Sequence, residues 1–226
     1  RNILRLVAIW LVFITGSGRL MAQTSNTIIS YLTGTDKGTQ FNLMDVNTGE
    51  IRKIDLGIEP IYGYDWSPDG NRIAFDSLPG EHWEIFVADV AERKPRKLVT
   101  NITNAIRPHW SRDGKWIYFV SNGSGRMGVY RCPIAGGDTV LFSKDTEAIN
   151  PRESLDGKTL YFASNHDKST LKKVALPAQP DTESRVDGMP RIKEAELWTL
   201  SRSGIYFVPA DAPRSVRYFD FATRQI

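Results

Sequence analysis

An all-β fold is predicted, a β-propeller of four-stranded antiparallel blades, and two observations predict it. The first is a repeated phrase. "DWSPDGNRIAFDS" (65–77), "HWSRDGKWIYFVSN" (109–122), "RESLDGKTLYFASN" (152–165) and "TLSRSGIYFVPA" (199–210) each run from a short segment through a turn into an apolar strand. Their turn glycines, Gly70, Gly114 and Gly157 in Asp-Gly steps and Gly204 in a Ser-Gly step, stand 44, 43 and 47 residues apart, a period that belongs to stacked repeat units. The second is the order within each period: four short strands separated by turn residues, with no sustained 3.6-residue apolar periodicity to compete. That order is one propeller blade.

In chain order, the first element is "RNILRLVAIWLVFITGSGRLMAQTSN" (1–26). Arg1 and Arg5 precede an apolar run, Leu6 to Ile14, and Leu20-Met21-Ala22 offers an export cleavage site. A spanning helix needs about 20 apolar residues, and this run is roughly half that. Residues 1–22 are therefore expected to be a signal peptide, with a short membrane anchor as the alternative. Residues 23–226 form the propeller, incomplete at its C-terminal end. The formal net charge of +3 comes from Arg1, Arg5 and Arg19 in a leader without acids. The remainder is neutral, so the basic balance belongs to the N-terminus and says nothing about nucleic acid; no nucleic-acid contact is expected of this segment. A protein exported this way is periplasmic or secreted; the anchored alternative also leaves the propeller outside the cytoplasm.

The next three strands, "TIISYLTG" (27–34), "FNLMDV" (41–46) and "EIRKID" (50–55), are strands two to four of a blade with no obvious first strand. Later first strands are "IYGYDWS" (61–67), "AIRPHWS" (105–111), "INPRES" (149–154) and "AELWTLS" (195–201). Second strands are "RIAFDS", "WIYFVS", "TLYFAS" and "IYFVPA". Third strands are "WEIFVADV" (83–90), "GVYRCPI" (128–134), "TLKKVAL" (170–176) and "SVRYFDF" (215–221). Fourth strands are "PRKLVT" (95–100), "DTVLFS" (138–143) and "TESRVD" (182–187). Five blades are visible, two of them partial, as a fragment of a six- to eight-bladed ring. Between strands one and two, Asp69-Gly70, Asp113-Gly114 and Asp156-Gly157 supply turn chemistry: Gly tolerates positive φ and Asp bonds its own backbone. The recurring aromatics, such as Trp66, Trp110, Tyr118 and Phe162, are expected to pack between blades, each contributing on the order of 1.5–3 kcal/mol.

"WSPDGNRIAF" and "WSRDGKWIYFVSNGSG" resemble the WD-like repeat of TolB-type bacterial β-propellers, over about residues 28 to 226. "PIAGGDTVLF", "DGKTLYFAS" and "GIYFVPADAPRSVRYFDFATRQI" resemble the propeller part of large bacterial sensor-regulators that carry an N-terminal winged helix and a membrane span. Glu153 in place of Trp and Ser203 in place of Asp depart from the repeat. The resemblance implies a non-enzymatic, periplasmic interaction scaffold that binds a protein or a small ligand. The alternative it leaves open is a sensory or substrate-gating propeller within a longer polypeptide, either a membrane-bound winged-helix regulator or a peptidase of the prolyl oligopeptidase type.

Chemistry-bearing patterns are sparse. No Gly-x-Ser-x-Gly occurs, so no nucleophile elbow is encoded. His82, His109 and His166 have no second His or Cys at ligand spacing, and Cys132, the sole cysteine, alternates with strand residues; neither a metal nor a cofactor is expected. "TGSGR" (15–19) and "NGSGR" (122–126) lack the Lys-Ser/Thr of a phosphate loop. "ERKPRK" (92–97) is a basic hairpin tip that could lie near a membrane surface but suits solvent better.

The candidate site is on the first strands, which lie innermost in a propeller. Aligned on Ser67, Ser111, Ser154 and Ser201, the sequence puts Asp65, His109, Arg152 and Thr199 at one level, with Gly63, Arg107, Asn150 and Leu197 two residues earlier. A core strand would hold apolar residues there, because an unpaired buried charge costs several kcal/mol. Arg107, His109, Asn150 and Arg152 are then either paired inside the channel, with Asp65 or a neighbour, or exposed at its mouth as a pocket for an acidic side chain or carboxylate ligand.

Overall fold

The computed structural model describes residues 10–11, 28–35, 38–99, 101–123, 125, 127–143, 147–164, 170–177 and 182–226. His166 and most of the expected leader lie outside the described residues. Among the described residues all regular structure is β, arranged in five sheets whose successive strands pair antiparallel. The first blade is β1 (Trp10–Leu11), β2 (Ile28–Thr35), β3 (Gly38–Asp45) and β4 (Ile51–Ile54). The second is β5 (Ile61–Trp66), β6 (Arg72–Ser77), β7 (Glu84–Asp89) and β8 (Lys94–Lys97). The third is β9 (Ile106–Trp110), β10 (Trp116–Ser121), β11 (Gly128–Pro133) and β12 (Val140–Leu141). The fourth is β13 (Ala148–Glu153), β14 (Thr159–Ser164), β15 (Thr170–Ala175) and β16 (Ser184–Arg185). The fifth has three strands, β17 (Trp198–Leu200), β18 (Gly204–Phe207) and β19 (Arg217–Asp220). Among the described residues the fold is that of a β-propeller, with five antiparallel blades, four of four strands and the fifth of three.

Three expectations are corrected. The first blade does have a first strand: Trp10 and Leu11, within the segment assigned to the leader, pair with Ser30 and Ile29 and cover the otherwise free edge of β2. The fourth strands are shorter than the sequence suggests. Leu98 and Val99 leave the outer edge because they bury in the core shared with Ala105 and Trp110 of the next blade. Third, Gly204 is not a turn glycine. It opens β18 with ordinary φ, and a Cβ there would stand 2.1 Å from the Phe219 carbonyl oxygen. Gly70, Gly114 and Gly157 do turn, with φ of 72°, 69° and 70°.

The turns repeat almost atom for atom. Ser67, Ser111 and Ser154 each accept a backbone N–H five residues on, at 2.9, 2.9 and 3.0 Å. Each hydroxyl donates to Asp69, Asp113 or Asp156, at 2.5, 2.7 and 2.6 Å. These aspartates accept further amide protons from Asn71, Lys115 and Lys158. A second turn, following the third strand, is built on Asp45, Asp89 and Asp220, each of which accepts the amides two and three residues later.

Core packing follows the period. Phe75, Phe119, Phe162 and Phe207 occupy the second strands and are at most 1% exposed. The cores are shared between neighbours: one cluster joins Val87 and Leu98 of the second blade to Trp110 and Phe119 of the third, and another joins Tyr161 and Leu171 of the fourth to Trp198 and Phe207 of the fifth. β9 packs against both β5 and β13. First strands therefore line the inside, as the propeller geometry requires.

Candidate functional site

Strand pairing fixes the level of each first-strand residue. Asp65 lies opposite Ala74, His109 opposite Tyr118, Arg152 opposite Tyr161 and Thr199 opposite Tyr206. These are equivalent positions of four blades, so the four side chains share one level. Just above it three of the four ladders slip: β5 against β6, β9 against β10 and β13 against β14 carry register shifts. Arg107 and Asn150 sit at these bulges with φ of 57°. Asparagine is common in the left-handed region, whereas arginine pays about 1–2 kcal/mol to be there.

The residues named from the sequence are only partly brought together. Asp65, His109 and Arg152 form one group. His109 Nδ1 stands 2.8 Å from Asp65 Oδ2, and the same oxygen accepts the Trp110 amide at 2.8 Å. Burial alone would raise the Asp65 carboxyl, but the His109 imidazole, these hydrogen bonds and the Arg152 guanidinium together hold it below the usual carboxylate value. Arg152 is 8% exposed, and its guanidinium lies 5.7 Å from the Trp198 ring centre. Burial lowers it to about 9, with Asp65 opposing that shift, so it stays protonated at neutral pH. The bond to Asp65 places a proton on Nδ1. Nε2 is buried and without a hydrogen-bond partner among the described residues.

Arg107 and Asn150 turn away from this group toward the connector between the fourth and fifth blades. Arg107 Nη2 pairs with Glu196 Oε1, and Asn150 Nδ2 donates to the Ala195 carbonyl at 3.3 Å. Arg107 is the more open of the channel cations, with 35% of its side chain exposed.

One central residue was missed in the sequence. Asp76, on the second strand β6, is 3% exposed and accepts the Gly63 amide at 2.6 Å and the Arg107 amide at 2.6 Å. It thus ties the bulge of one blade to that of the next. Burial pushes its carboxyl up, against the lowering effect of the two amides. An acid inside the apolar strand "RIAFDS" was the available signal. Glu153, the substitute for the repeat's Trp, has a similar role: it is buried, its carboxyl is raised by burial, and its Oε2 accepts the Arg112 amide at 3.1 Å.

Chemically, this arrangement holds two cations on the first strands, Arg107 against Glu196 and Arg152 beside Asp65. Among the described residues, no three His, Cys, Asp or Glu side chains gather to hold a metal ion. Cys132 is buried in β11, and burial raises its thiol, which makes thiolate chemistry unfavourable.

A family model described as the TolB beta propeller domain matches residues 21–187. Among curated proteins, an uncharacterized protein of Agrobacterium fabrum is 30% identical over 90 residues, covering 40% of this chain and 31% of that protein. The Tol-Pal system protein TolB of Ruthia magnifica is 27% identical over 111 residues, covering 46% of this chain and 26% of its own. The chain thus spans less than a third of the length of these relatives. TolB from Acinetobacter baumannii superposes with a TM-score of 0.63 at 18% identity, over 84% of this chain and 51% of that one. The tricorn protease superposes with a TM-score of 0.60 at 14% identity, over 88% of this chain and 25% of that one. These two structural likenesses are of fold.

Proposed function

The chain belongs to the TolB β-propeller domain family, and from that premise we propose that it is a non-catalytic scaffold of the cell envelope that holds a partner at the connector end of its channel. The partner presents an acidic side chain or a carboxylate to Arg107, with His109, Asn150, Arg152 and Asp65 behind it. The observation that carries the reading is Arg107 itself. Its left-handed backbone would be less strained with glycine or asparagine, and Asn150 occupies the equivalent place one blade on. Arg93 and Arg224 hold the same backbone at outer turns; Arg107 differs in lying on a first strand, with its amide on the buried Asp76 and its guanidinium on Glu196 across a seam, and strain at such a place points to a use. The apolar leader, Arg1 to Ala22, favours a location outside the cytoplasm; kept as the short anchor rather than cleaved, it leaves Trp10 and Leu11 in place against β2. A relative named as a Tol-Pal system protein suits a component that works by binding.

Arg107→Asn tests this, because it removes the cation while suiting the backbone. Immobilised wild-type protein is expected to retain a discrete protein from envelope extract. Arg107→Asn loses that protein with no fall in melting temperature, and Lys158→Glu, at the opposite end of the blades, retains it. Undiminished capture by Arg107→Asn contradicts the reading.

A further inference from the structure

The residue before each turn serine faces the preceding blade, and in two blades it is an indole. Trp66 donates from Nε1 to Ser30 Oγ at 2.9 Å and lies 6.2 Å from the Phe41 ring. Trp110 sits beneath Arg72, whose guanidinium is 4.9 Å from the ring centre. Pairing shows that these positions are equivalent: Trp66 is opposite Ile73, Trp110 opposite Ile117 and Leu200 opposite Ile205. In the fifth blade the indole is therefore replaced by Leu200. On the facing strand, the counterpart of Arg72 is Thr159, also small.

A cleft of about 470 Å³ opens at this seam, a size in the range of ligand pockets. Tyr161 and Phe221 also line it, stacked with ring centres 5.6 Å apart and planes at 15°. Arg202 stands exposed on its rim and makes no ion pair among the described residues. Asp156, the acid on the rim, is occupied by the Ser154 hydroxyl and the Lys158 amide. We propose that this cleft is a docking site for a tryptophan side chain of a partner polypeptide, with an acidic residue beside that tryptophan pairing with Arg202. The occupant is the group that the same fold supplies from its own chain at the seams of Trp66 and Trp110. Tyr161 and Phe221 offer it an aromatic contact, and Arg202 offers a cation for its ring or its acidic neighbour. The cleft lies at the turn end of the blades, away from Arg107, and does not depend on the channel reading.

Saturation-transfer NMR on the whole chain tests it, with acetyl-Ala-Trp-Asp-amide as the probe. Transfer to the indole protons is expected, with affinity at least tenfold above that of acetyl-Ala-Ala-Asp-amide. Leu200→Trp, which fills the cleft from within, and Arg202→Glu, an exposed change that leaves the core intact, each weaken binding by tenfold or more. No indole transfer to wild type, or binding unchanged in Arg202→Glu, overturns the proposal. Unchanged binding by a folded Leu200→Trp variant overturns it as well.

Discussion

His109 and Asp65, 44 residues apart in sequence, meet across a blade seam with Nδ1 and Oδ2 2.8 Å apart. The same carboxylate accepts the Trp110 amide, so one acid fixes both the orientation of the imidazole and the start of the next turn. The pair links scaffold to site. It fixes the His109 ring, and the cost of burying Asp65 is offset by neighbouring positive charge and two hydrogen bonds.

Removing that acid should be expensive. Asp65→Ala is expected to cost about 3–5 kcal/mol, because it leaves the Trp110 amide and His109 Nδ1 without their acceptor and takes a negative charge from beside Arg152; Asp65→Asn should cost less. The pH dependence has a defined sign. The folded carboxyl lies below its ordinary value, so the unfolded chain takes up the proton first as pH falls. The Asp65 contribution is complete above the unfolded value of about 3.9 and is lost as pH drops through the lower folded value. Denaturant melts of wild type and Asp65→Asn at pH 7, 5, 4 and 3 should show the gap narrowing only at the acid end.

Glycines that look alike in sequence should respond differently. Gly114→Ala places a Cβ on a φ of +69° with only Pro68 Cδ nearby, at 3.9 Å; a cost of about 1–2 kcal/mol is expected. Gly204→Ala drives its Cβ onto backbone at the Phe219 carbonyl. The expected loss is larger, above about 3 kcal/mol, since the strand pair must separate to admit it. Urea unfolding midpoints of the two variants would check the order.

The outer turns offer changes of opposite sign. Arg93 and Arg224 both hold φ of 56°, where the first blade has Gly49 at 73°. Arg93→Gly and Arg224→Gly should each be neutral or stabilise by up to about 1 kcal/mol, the relieved left-handed strain outweighing the extra freedom of the unfolded chain. Calorimetric melting temperatures that fall by several degrees would contradict this.

The fold was legible because its turn chemistry is local. Ser67, Asp69 and Gly70 lie within four residues, so the motif and its period can be seen without knowing the packing. The channel level was legible for the same reason, since pairing registers repeat with the turns. Which side chains meet was not, because the bonds cross seams: Asp76 reaches Arg107 over 31 residues and Arg107 reaches Glu196 over 89. Gly204 misled because a Ser-Gly step marks a turn only if the backbone turns there. The recurrence of Asp45, Asp89 and Asp220 at the ends of third strands was visible in the sequence and overlooked.

The central claim is that a partner sits at the channel mouth, and single-site photocrosslinking tests it most directly. Cys132 is buried, so a benzophenone maleimide will label an introduced surface cysteine in its place. Asn150→Cys, beside Arg107 at the mouth, and Lys158→Cys, at the turn end, are labelled and irradiated in envelope extract. One discrete protein adduct is expected from Asn150→Cys and none of that mass from Lys158→Cys. The same adduct from both positions, or from Lys158→Cys alone, would contradict it.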